Sequence, residues 1–348
     1  MDTIYPGMVL EHDLYNSRGT LLAQTGTLLT EDSCVRLARA GVHVVNLKLP
    51  KAVDRASKAA DSIPAEKMRE FSTFKTTYEN KEKEVSDCLI KIGNGEQLDI
   101  AKTFTLTDSI ISKLSNKNDI FLFLEFMKDF DNHTFSHCSN VALLCYVFGG
   151  WLGMDRRQLT ELTVAGMLHD VGKTRVPIEI LNKKGKLTPE EFKIIKDHTV
   201  LGYKLLLQQE LTNDMRLAAL QHHEKTDGSG YPLGIDGTKI NRFAKIVAIC
   251  DIYDAMTSTR SYREKICPFE VIHTFETGLY GALDPKLLFM FLNSIAYVYL
   301  NSTVVLSDGR EAEVMFIPKE TPSKPIVKTS DGTMLNLTEH DLKILRIK

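Results

Sequence analysis

The sequence lacks the marks of several protein classes. No two cysteines form a C-x-x-C pair, and no apolar run approaches the roughly 18 residues that a membrane span requires. The 43 basic and 45 acidic residues give a formal charge of −2 and form no long runs of one sign. We therefore expect no disulfide framework, no membrane span and no binding surface for a nucleic acid polymer.

The N-terminus and the cysteines indicate the compartment. The first 15 residues lack the basic stretch followed by an apolar one that is typical of a secretory signal. The six cysteines lie mostly in apolar segments, as buried thiols do in a reducing compartment. Since 43% of the residues are apolar, the chain can fill real cores, and we expect a globular cytoplasmic protein.

Hydrophobic patterning divides the chain into four segments. Residues 1–60 alternate between apolar and polar positions around turn glycines, as in a small α+β module, and 61–96 are rich in Lys, Glu, Ala and Ser, as in a helical linker. The segment 97–299 is helical almost throughout, and 300–348 contains two hairpin-like stretches that turn at Asp-Gly. We predict a mainly α protein, with an all-helical bundle between a small α+β module and a small β-rich module.

Histidines cluster in the helical segment. Six of the ten lie between residues 133 and 223, and His-Asp, His and His-His steps follow one another on successive predicted helices. Asp251 then lies in an apolar helix, where an unpaired carboxylate would cost several kcal/mol. A cation is the simplest partner for it, and imidazoles with carboxylates suit Fe, Mn, Zn or Ni. An aspartate can also bridge two such ions.

Each of these residues has a structural explanation as well. A lone histidine on a helix is more often packed or solvated than a ligand, and a His-Asp step can cap a helix end. Asp254 can accept hydrogen bonds from backbone or arginine. The ordered array is harder to explain in this way, so it indicates a metal site. We expect His273 and His340, which lie outside the array, to be structural or surface residues.

Four motifs in this array resemble a known family. HDVGK (169–173), His198, HHEKTDGSGYP (222–232) and DIYDAMTSTRSYR (251–263) are similar in order and spacing to the HD-GYP subgroup of HD-domain phosphohydrolases. The resemblance covers about 97–299 and implies an all-helical domain with two or three divalent ions, iron or manganese. It implies that Asp170 bridges the ions and that the metal ligands are His137, His169, Asp170, His198, His222, His223 and Asp251.

The resemblance also implies substrate contacts. Lys173, Arg260 and Arg263 would hold the phosphates of the substrate. Gly230, Tyr231 and Pro232 form the signature loop, in which Tyr231 is a candidate substrate contact. Two arginines three apart near a helix end can face one phosphate, although they can also be surface charges. The loop either shapes the pocket or docks a cyclase-type partner, and both interpretations stay open.

A second set of residues is expected behind the ligands. Asp254 belongs to it, and Glu224 and Asp227 are candidates to orient His223. Four positions before the first ligand histidine the family often has Tyr or Glu, whereas this chain has His133. Imidazole can bind an ion but supplies no negative charge, so a third ion at His133 is left open.

The expected activity is that of a cyclic-guanylate-specific phosphodiesterase. The resemblance implies metal-dependent hydrolysis of the bacterial second messenger cyclic di-GMP to linear pGpG, GMP or both. In this hypothesis a hydroxide that bridges the ions held by Asp170 attacks phosphorus, while Lys173 stabilises the non-bridging oxygens. The alternatives are a phosphodiesterase for cyclic GMP-AMP, a catalytically slow dinucleotide sensor and an ordinary HD nucleotidase. The native metal, the product, a homodimer and the signal sensed by the end modules are left open.

Overall fold

The computed structural model describes residues 9–10, 14–15, 21–23, 27, 47–48, 65–127, 136–183, 185–258, 266–278 and 281–348. The chain divides into two compact units, Met1–Ser62 and Ile63–Lys348. In the first unit, β1 (Val9–Leu10) pairs antiparallel with β4 (Leu47–Lys48), and β2 (Leu14–Tyr15) with β3 (Leu21–Ala23). The short helix predicted in this module lies outside the described residues.

The second unit is helical up to Val298. Its α-helices are α1 (Ala65–Gly93), α2 (Ile100–Ile111), α3 (Asp119–Met127), α4 (Ser136–Trp151), α5 (Arg156–Leu168), α6 (Ile178–Leu181), α7 (Pro189–Lys196), α8 (His198–Leu206), α9 (Asn213–Gln221), α10 (Arg242–Thr257), α11 (Pro268–Gly278) and α12 (Pro285–Val298). A short 3-10 helix, Val171–Arg175, follows α5. The prediction of a mainly α protein with a helical bundle is confirmed. Within the described residues, no helix combines the length and apolar character that crossing a bilayer requires.

Side-chain caps fix where several helices begin. Before α7, the Thr188 hydroxyl accepts from the Glu191 N–H, and the Glu191 carboxylate accepts from the Thr188 N–H at 2.7 Å. Before α10, the Asn241 side chain accepts from the Phe243 N–H at 2.8 Å. Each cap satisfies an N–H that has no partner inside its helix. The α7 cap therefore sets the register of the chain that leads into α8, where His198 lies.

Helix α1 belongs to the core of the second unit. Phe74, Tyr78, Val85 and Leu89 are each at most 3% exposed and pack within the same apolar cluster as the other helices. They recur at helical spacing along a helix that is otherwise rich in charge. The stretch predicted as a helical linker thus forms a helix with one buried face. The predicted domain boundaries stay predictions.

The C-terminal residues form one antiparallel sheet. Its order is β8-β7-β6-β5-β9, and its strands are β5 (Thr303–Leu306), β6 (Glu311–Phe316), β7 (Ile326–Thr329), β8 (Met334–Asn336) and β9 (Ile344–Ile347). Gly309 and Gly332 both have φ +87 in the turns after β5 and β7, where a left-handed residue is needed. Val304, Leu306 and Val314 are fully buried in the same cluster as the helices. The predicted β-rich module is therefore present and packs on the bundle.

The described cysteines are free thiols, as the sequence predicts. Cys138, Cys145, Cys250 and Cys267 are buried and Cys88 is half-buried, while Cys34 lies outside the described residues. Their burial explains why they lie in apolar segments.

Candidate metal centre

The seven predicted ligands come from five places in the chain and meet at one point. His137 lies in the first turn of α4, and His169 and Asp170 follow the end of α5. His198 begins α8, His222 and His223 follow the end of α9, and Asp251 lies in the middle of α10. His137 and His223 are half-buried, and the other five are buried.

A close backbone approach brings Asp170 to His198. A Cβ atom built on Gly172 would lie 1.9 Å from the carbonyl oxygen of His198 and 2.5 Å from the amide nitrogen of Gly202. Only glycine leaves room for this contact, so the 3-10 helix lies directly against α8. The glycine of HDVGK is thus required for packing next to the ligands.

The two carboxylate oxygens of Asp170 face different histidines. Its Oδ1 lies 3.2 Å from Nε2 of His198 and 3.8 Å from Nε2 of His222. Its Oδ2 lies 3.4 Å from Nε2 of His169 and 3.8 Å from Nε2 of His137, and it also accepts a hydrogen bond from the Lys173 ammonium. Asp170 therefore lies where a carboxylate can bridge two ions.

The remaining ligands form two groups on either side of Asp170. The first ligand group is His137, His169 and Asp251, and the second ligand group is His198, His222 and His223. Within each group, one possible ligand atom from each residue lies within 4.8 Å of the others. In the first group, His137 Nε2 is 3.0 Å from Asp251 Oδ1. Each group could hold a cation, and a third possible set, His169, Asp170 and His222, shares one histidine with each group.

Backbone carbonyls fix the tautomers of three histidines. The Nδ1–H of His169 donates to the Gly166 carbonyl at 2.7 Å, that of His198 to Ile195 at 2.6 Å, and that of His222 to Ala219 at 3.0 Å. A carbonyl can only accept, so the ring proton must lie on Nδ1. The Nε2 lone pair of each neutral ring then points to the centre, as in metal-ligating histidines.

Buried atoms without partners test whether a metal fits. Among the described residues, His169 Nε2 and Asp170 Oδ1 are buried and have no hydrogen-bond partner. Nε2 of His198 is close to Asp170 Oδ1 but has no proton to donate there, since its proton is on Nδ1. Lone pairs that face each other away from water need a cation between them. The donor set of imidazoles and carboxylates fits a divalent transition metal.

The pKa values favour the protonation states of ligands at most positions. Burial lowers the pKa of His223 to about 4, and burial together with the nearby His223 lowers the pKa of His222 well below its usual value. Burial alone would raise the pKa of Asp170, but Lys173 and His169 bring it well below its ordinary value. Neutral imidazoles and an ionised carboxylate are the forms that bind metal.

His137 behaves differently from the other histidines. Burial opposes its protonation, but hydrogen bonds to Asp251 and Asp254 outweigh this effect and raise its pKa to about 9. The same contact with His137 lowers the pKa of Asp251, against the effect of burial. A metal ion that binds to His137 must therefore displace a proton.

Lys173 and Tyr231, the predicted substrate contacts, lie next to this centre. Lys173 is about one-third exposed, and the charge of Asp170 raises its pKa in spite of burial. The ring of Tyr231 lies against that of His223, with centroids 4.7 Å apart, and the Lys196 ammonium lies 5.0 Å from the Tyr231 centroid. His133, Arg260 and Arg263 lie outside the described residues, so their predicted roles stay predictions.

Glu224 and Asp227 accept hydrogen bonds from residues on either side of the signature loop. The Glu224 carboxylate accepts from the N–H of Leu233 at 2.6 Å and of Ile235 at 3.3 Å. The Asp227 carboxylate accepts from the backbone and hydroxyl of Ser229. The chain after His223 folds back so closely that a Cβ on Gly230 would lie 2.4 Å from the Lys225 nitrogen. This turn directs the Glu224 carboxylate to the returning chain, and the predicted role of Glu224 and Asp227 in orienting His223 stays a prediction.

Asp254 and Asn140 support His137 from behind. The Nδ1–H of His137 donates to Asp254 Oδ2 at 2.8 Å, and the Asn140 amide donates to Asp254 Oδ1 at 3.0 Å. Asp254 was predicted behind the ligands, whereas Asn140 was missed. Its signal was present in the sequence, since Asn140 is a polar residue three positions after His137, directly before the apolar run that begins at Val141.

Comparisons of sequence and fold show which known proteins this chain is similar to. The family model described as HD domain matches residues 123–287. The chain is 32% identical over 222 residues to the cyclic di-GMP phosphodiesterase PA4108 of Pseudomonas aeruginosa, covering 64% of this chain and 53% of that protein. It is 34% identical over 173 residues to the 3'3'-cGAMP-specific phosphodiesterase 1 of Vibrio cholerae, covering 48% and 39%.

The fold has a counterpart among solved structures. The HDG"Y"P protein Bd1817 from Bdellovibrio bacteriovorus aligns with a TM-score of 0.51 at 14% identity, over 85% of this chain and 97% of that one. At this identity the likeness concerns the fold alone. The chain spans about half the length, or less, of the curated relatives that it matches.

Proposed function

We propose that this chain, whose residues 123–287 match the HD domain model, is a metal-dependent phosphodiesterase that hydrolyses cyclic di-GMP. The observation that carries the proposal is the position of Asp170 between two ligand groups, with each carboxylate oxygen facing a different pair of histidines. Hydrolysis of a phosphodiester uses this arrangement because two ions can act on the attacking and leaving oxygens together.

The substrate is proposed from the relatives. Proteins named cyclic di-GMP phosphodiesterases match this chain at 28–43% identity, and those in Thermotoga maritima and Xanthomonas campestris are among them. The HD domain model matches residues 123–287, the segment that contains all seven proposed ligands. Cyclic di-GMP is therefore the first substrate to test.

The residues of the chain divide the chemistry between them. Divalent ions held here would polarise a phosphoryl oxygen and make water a competent nucleophile at neutral pH. Iron or manganese is the proposed metal, since both accept imidazole with carboxylate. The Lys173 ammonium, oriented by Asp170, would neutralise a non-bridging phosphate oxygen. The Tyr231 ring, packed on His223, would form the wall of the pocket beside the second ligand group.

A second substrate is favoured by one specific observation. The relative from Vibrio cholerae that is 34% identical is named for 3'3'-cGAMP, so the mixed dinucleotide is the alternative. A slow sensor fits less well, because a receptor would not need all seven ligands in place. Three further features stay proposals, because no contact among the described residues concerns them. They are a third ion at His133, phosphate contacts from Arg260 and Arg263, and a cyclase-type partner at the signature loop.

The test measures metal and product together. The protein is purified without oxygen, its metal content is measured, and cyclic di-GMP and 3'3'-cGAMP are each followed by chromatography with Mn²⁺ or Fe²⁺ supplied. We expect linear pGpG or GMP from cyclic di-GMP, and loss of turnover in Asp170→Asn. The matched control is Asp197→Asn, an exposed aspartate whose side chain makes no cap bond at the start of α8.

Three results would change the proposal. Binding of cyclic di-GMP without any product would support the sensor. Faster turnover of the mixed dinucleotide would change the substrate. Full turnover in Asp170→Asn would remove the bridging role from Asp170.

A further inference from the structure

A hydrogen-bonded network leads from the metal centre to helix α1. It starts at His137, whose Nδ1–H donates to Asp254, and it continues from Asp254 to the Asn140 amide at 3.0 Å. The Tyr78 hydroxyl then donates to Asn140 Oδ1 at 2.6 Å, across 62 positions of sequence. The same hydroxyl lies 3.1 Å from the carbonyl of Ser136, the residue before His137.

We propose that Tyr78 is a positioning residue of the metal centre, which sets the orientation of His137 through Asn140 and Asp254. The inference rests on the proposed metal-binding function of this site. Tyr78 contacts neither a metal nor a substrate, so its role is to hold the first turn of α4 and to keep the Asp254 carboxylate in place. Metal-ligating histidines depend on such partners behind them.

Burial makes the hydrogen bonds between His137, Asp254, Asn140 and Tyr78 hard to replace. Tyr78 is 3% exposed, Asn140 6% and Asp254 1%, so water does not readily replace a lost partner. The Asn140 amide also has one favourable orientation. If it were flipped, its oxygen would face the Asp254 carboxylate and its NH₂ would no longer donate there. The Tyr78 hydroxyl donates to the oxygen side of that orientation and stabilises it.

Because Tyr78 lies on helix α1, movement of this helix affects the hydrogen-bonded network. Helix α1 begins at Ala65, just after the end of the N-terminal unit at Ser62 in the sequence. Rotation of α1 about its axis would move the Tyr78 hydroxyl away from Asn140 and Ser136. A change that moves this part of α1 would therefore alter the support of His137.

The test uses Tyr78→Phe, which keeps the ring and its stacking on Phe74 at 5.8 Å and removes only the hydroxyl. Tyr299→Phe is the matched control, since it removes another fully buried hydroxyl. This hydroxyl is hydrogen-bonded to Tyr253 at 2.8 Å and lies outside the network that leads to His137. Metal-depleted protein is titrated with Mn²⁺ against a chromophoric chelator, and the visible spectrum is recorded with Co²⁺. Thermal unfolding is measured for each variant.

We expect Asp254→Asn to lower the binding affinity for one of the two ions by about tenfold or more. Tyr78→Phe should lower the affinity for the same ion by about threefold. Tyr299→Phe should bind both ions as the unchanged protein does. In the double variant, Tyr78→Phe should add little to Asp254→Asn, because residues in one hydrogen-bond network are not additive. The Co²⁺ spectrum should change in Tyr78→Phe and not in the control.

Two outcomes would overturn the proposal. One is unchanged metal affinity and an unchanged Co²⁺ spectrum in Tyr78→Phe, which would make Tyr78 a packing residue only. The other is an equal loss of affinity in Tyr299→Phe, which would reflect general destabilisation. The readout requires no turnover, so a protein that binds two ions but hydrolyses no dinucleotide would refute the proposed function and still test Tyr78.

Discussion

The two ligand groups of the metal centre are supported by different kinds of partner. In the second group, His198 and His222 each donate to a backbone carbonyl in the preceding turn, so their orientation is fixed by local helix geometry. In the first group, His137 donates to a buried carboxylate of another helix. The first group thus contains one ligand, His137, that depends on tertiary packing between α4 and α10. His169 of the same group donates to the Gly166 carbonyl and, like His198 and His222, depends mainly on its local backbone.

The difference also appears in the protonation of the ligands. The aspartates raise the pKa of His137 to about 9 in spite of burial, while burial lowers the pKa of His223 to about 4. A carboxylate behind a histidine makes it a more basic ligand, for protons as well as for metals. The two cations should thus bind with different pH dependence and different sensitivity to distant mutations.

The largest expected effect is the loss of one metal ion per protein when a ligand of one group is replaced. Asp251→Asn removes the carboxylate ligand of the first group, and His223→Gln removes an imidazole of the second. Each variant should lose one of two ions, and the double variant should lose both. Metal content after gel filtration, measured by mass spectrometry of the elements, checks this. Loss of both ions in each single variant would show that the groups form one cooperative site.

A backbone contact is expected to have the next largest effect. Gly172→Ala places a Cβ 1.9 Å from the His198 carbonyl, so α8 must move away from Asp170. Overpacking of this kind costs about 1–3 kcal/mol of unfolding free energy, and occasionally more. The second ion should also bind more weakly, since His198 moves with α8. Denaturant unfolding and Mn²⁺ titration measure the two effects.

The control for this substitution is another helical glycine. A Cβ on Gly150 of α4 would meet nothing within 4 Å, so Gly150→Ala should leave metal binding unchanged. Alanine should also raise stability there by about 0.5–1 kcal/mol, since it loses less backbone entropy than glycine. Equal metal loss in both variants would contradict the role of the Gly172 contact.

The pH dependence of metal binding should distinguish the groups next. Below about pH 9, an ion must displace the proton of His137, so the affinity of the first group should rise with pH between 6 and 8, by about tenfold per unit for one released proton. His223 is neutral above about pH 4, so protonation of His223 should not weaken metal binding at the second group over the same range. Calorimetry of Mn²⁺ binding in buffers of different ionisation enthalpy counts the released protons. Equal slopes for both ions would show that His137 has no special role.

The sequence was most informative where chemistry is local. The helical fold and the residues that meet at the candidate metal centre could be predicted because His and Asp steps recur on successive helices in an order that resembles HD-GYP domains. The predicted resemblance to HD domains agrees with the match of the HD domain model over residues 123–287. The cap of α7 by Thr188 and Glu191 also needs only neighbouring residues, and its geometry follows the pattern in the sequence.

The sequence was less informative where partners are distant. Tyr78 and Asn140 are 62 positions apart, and nothing local to either residue indicates the other. The buried face of α1 is diluted by charged residues, which made it resemble a linker. Glu224 was assigned to His223 as a sequence neighbour, and nothing local to it indicates that the tight turn at Gly230 brings the returning chain to its carboxylate. Long-range packing therefore decides the contacts behind the ligands.

The smallest expected effect comes from Glu224→Gln. The buried carboxylate accepts from Leu233 and Ile235, and a glutamine keeps one acceptor but turns an NH₂ group towards an N–H. The loop that contains Tyr231 should loosen, at a cost of about 1–3 kcal/mol for a buried unsatisfied group. The KM for cyclic di-GMP should rise several-fold, about 3- to 10-fold if roughly 1 kcal/mol of this reaches the bound state, while both ions stay bound. Steady-state kinetics and metal content are measured beside Glu190→Gln, an exposed control. Weaker binding of the second ion with unchanged KM would instead assign Glu224 to His223, because only that ligand group contains His223.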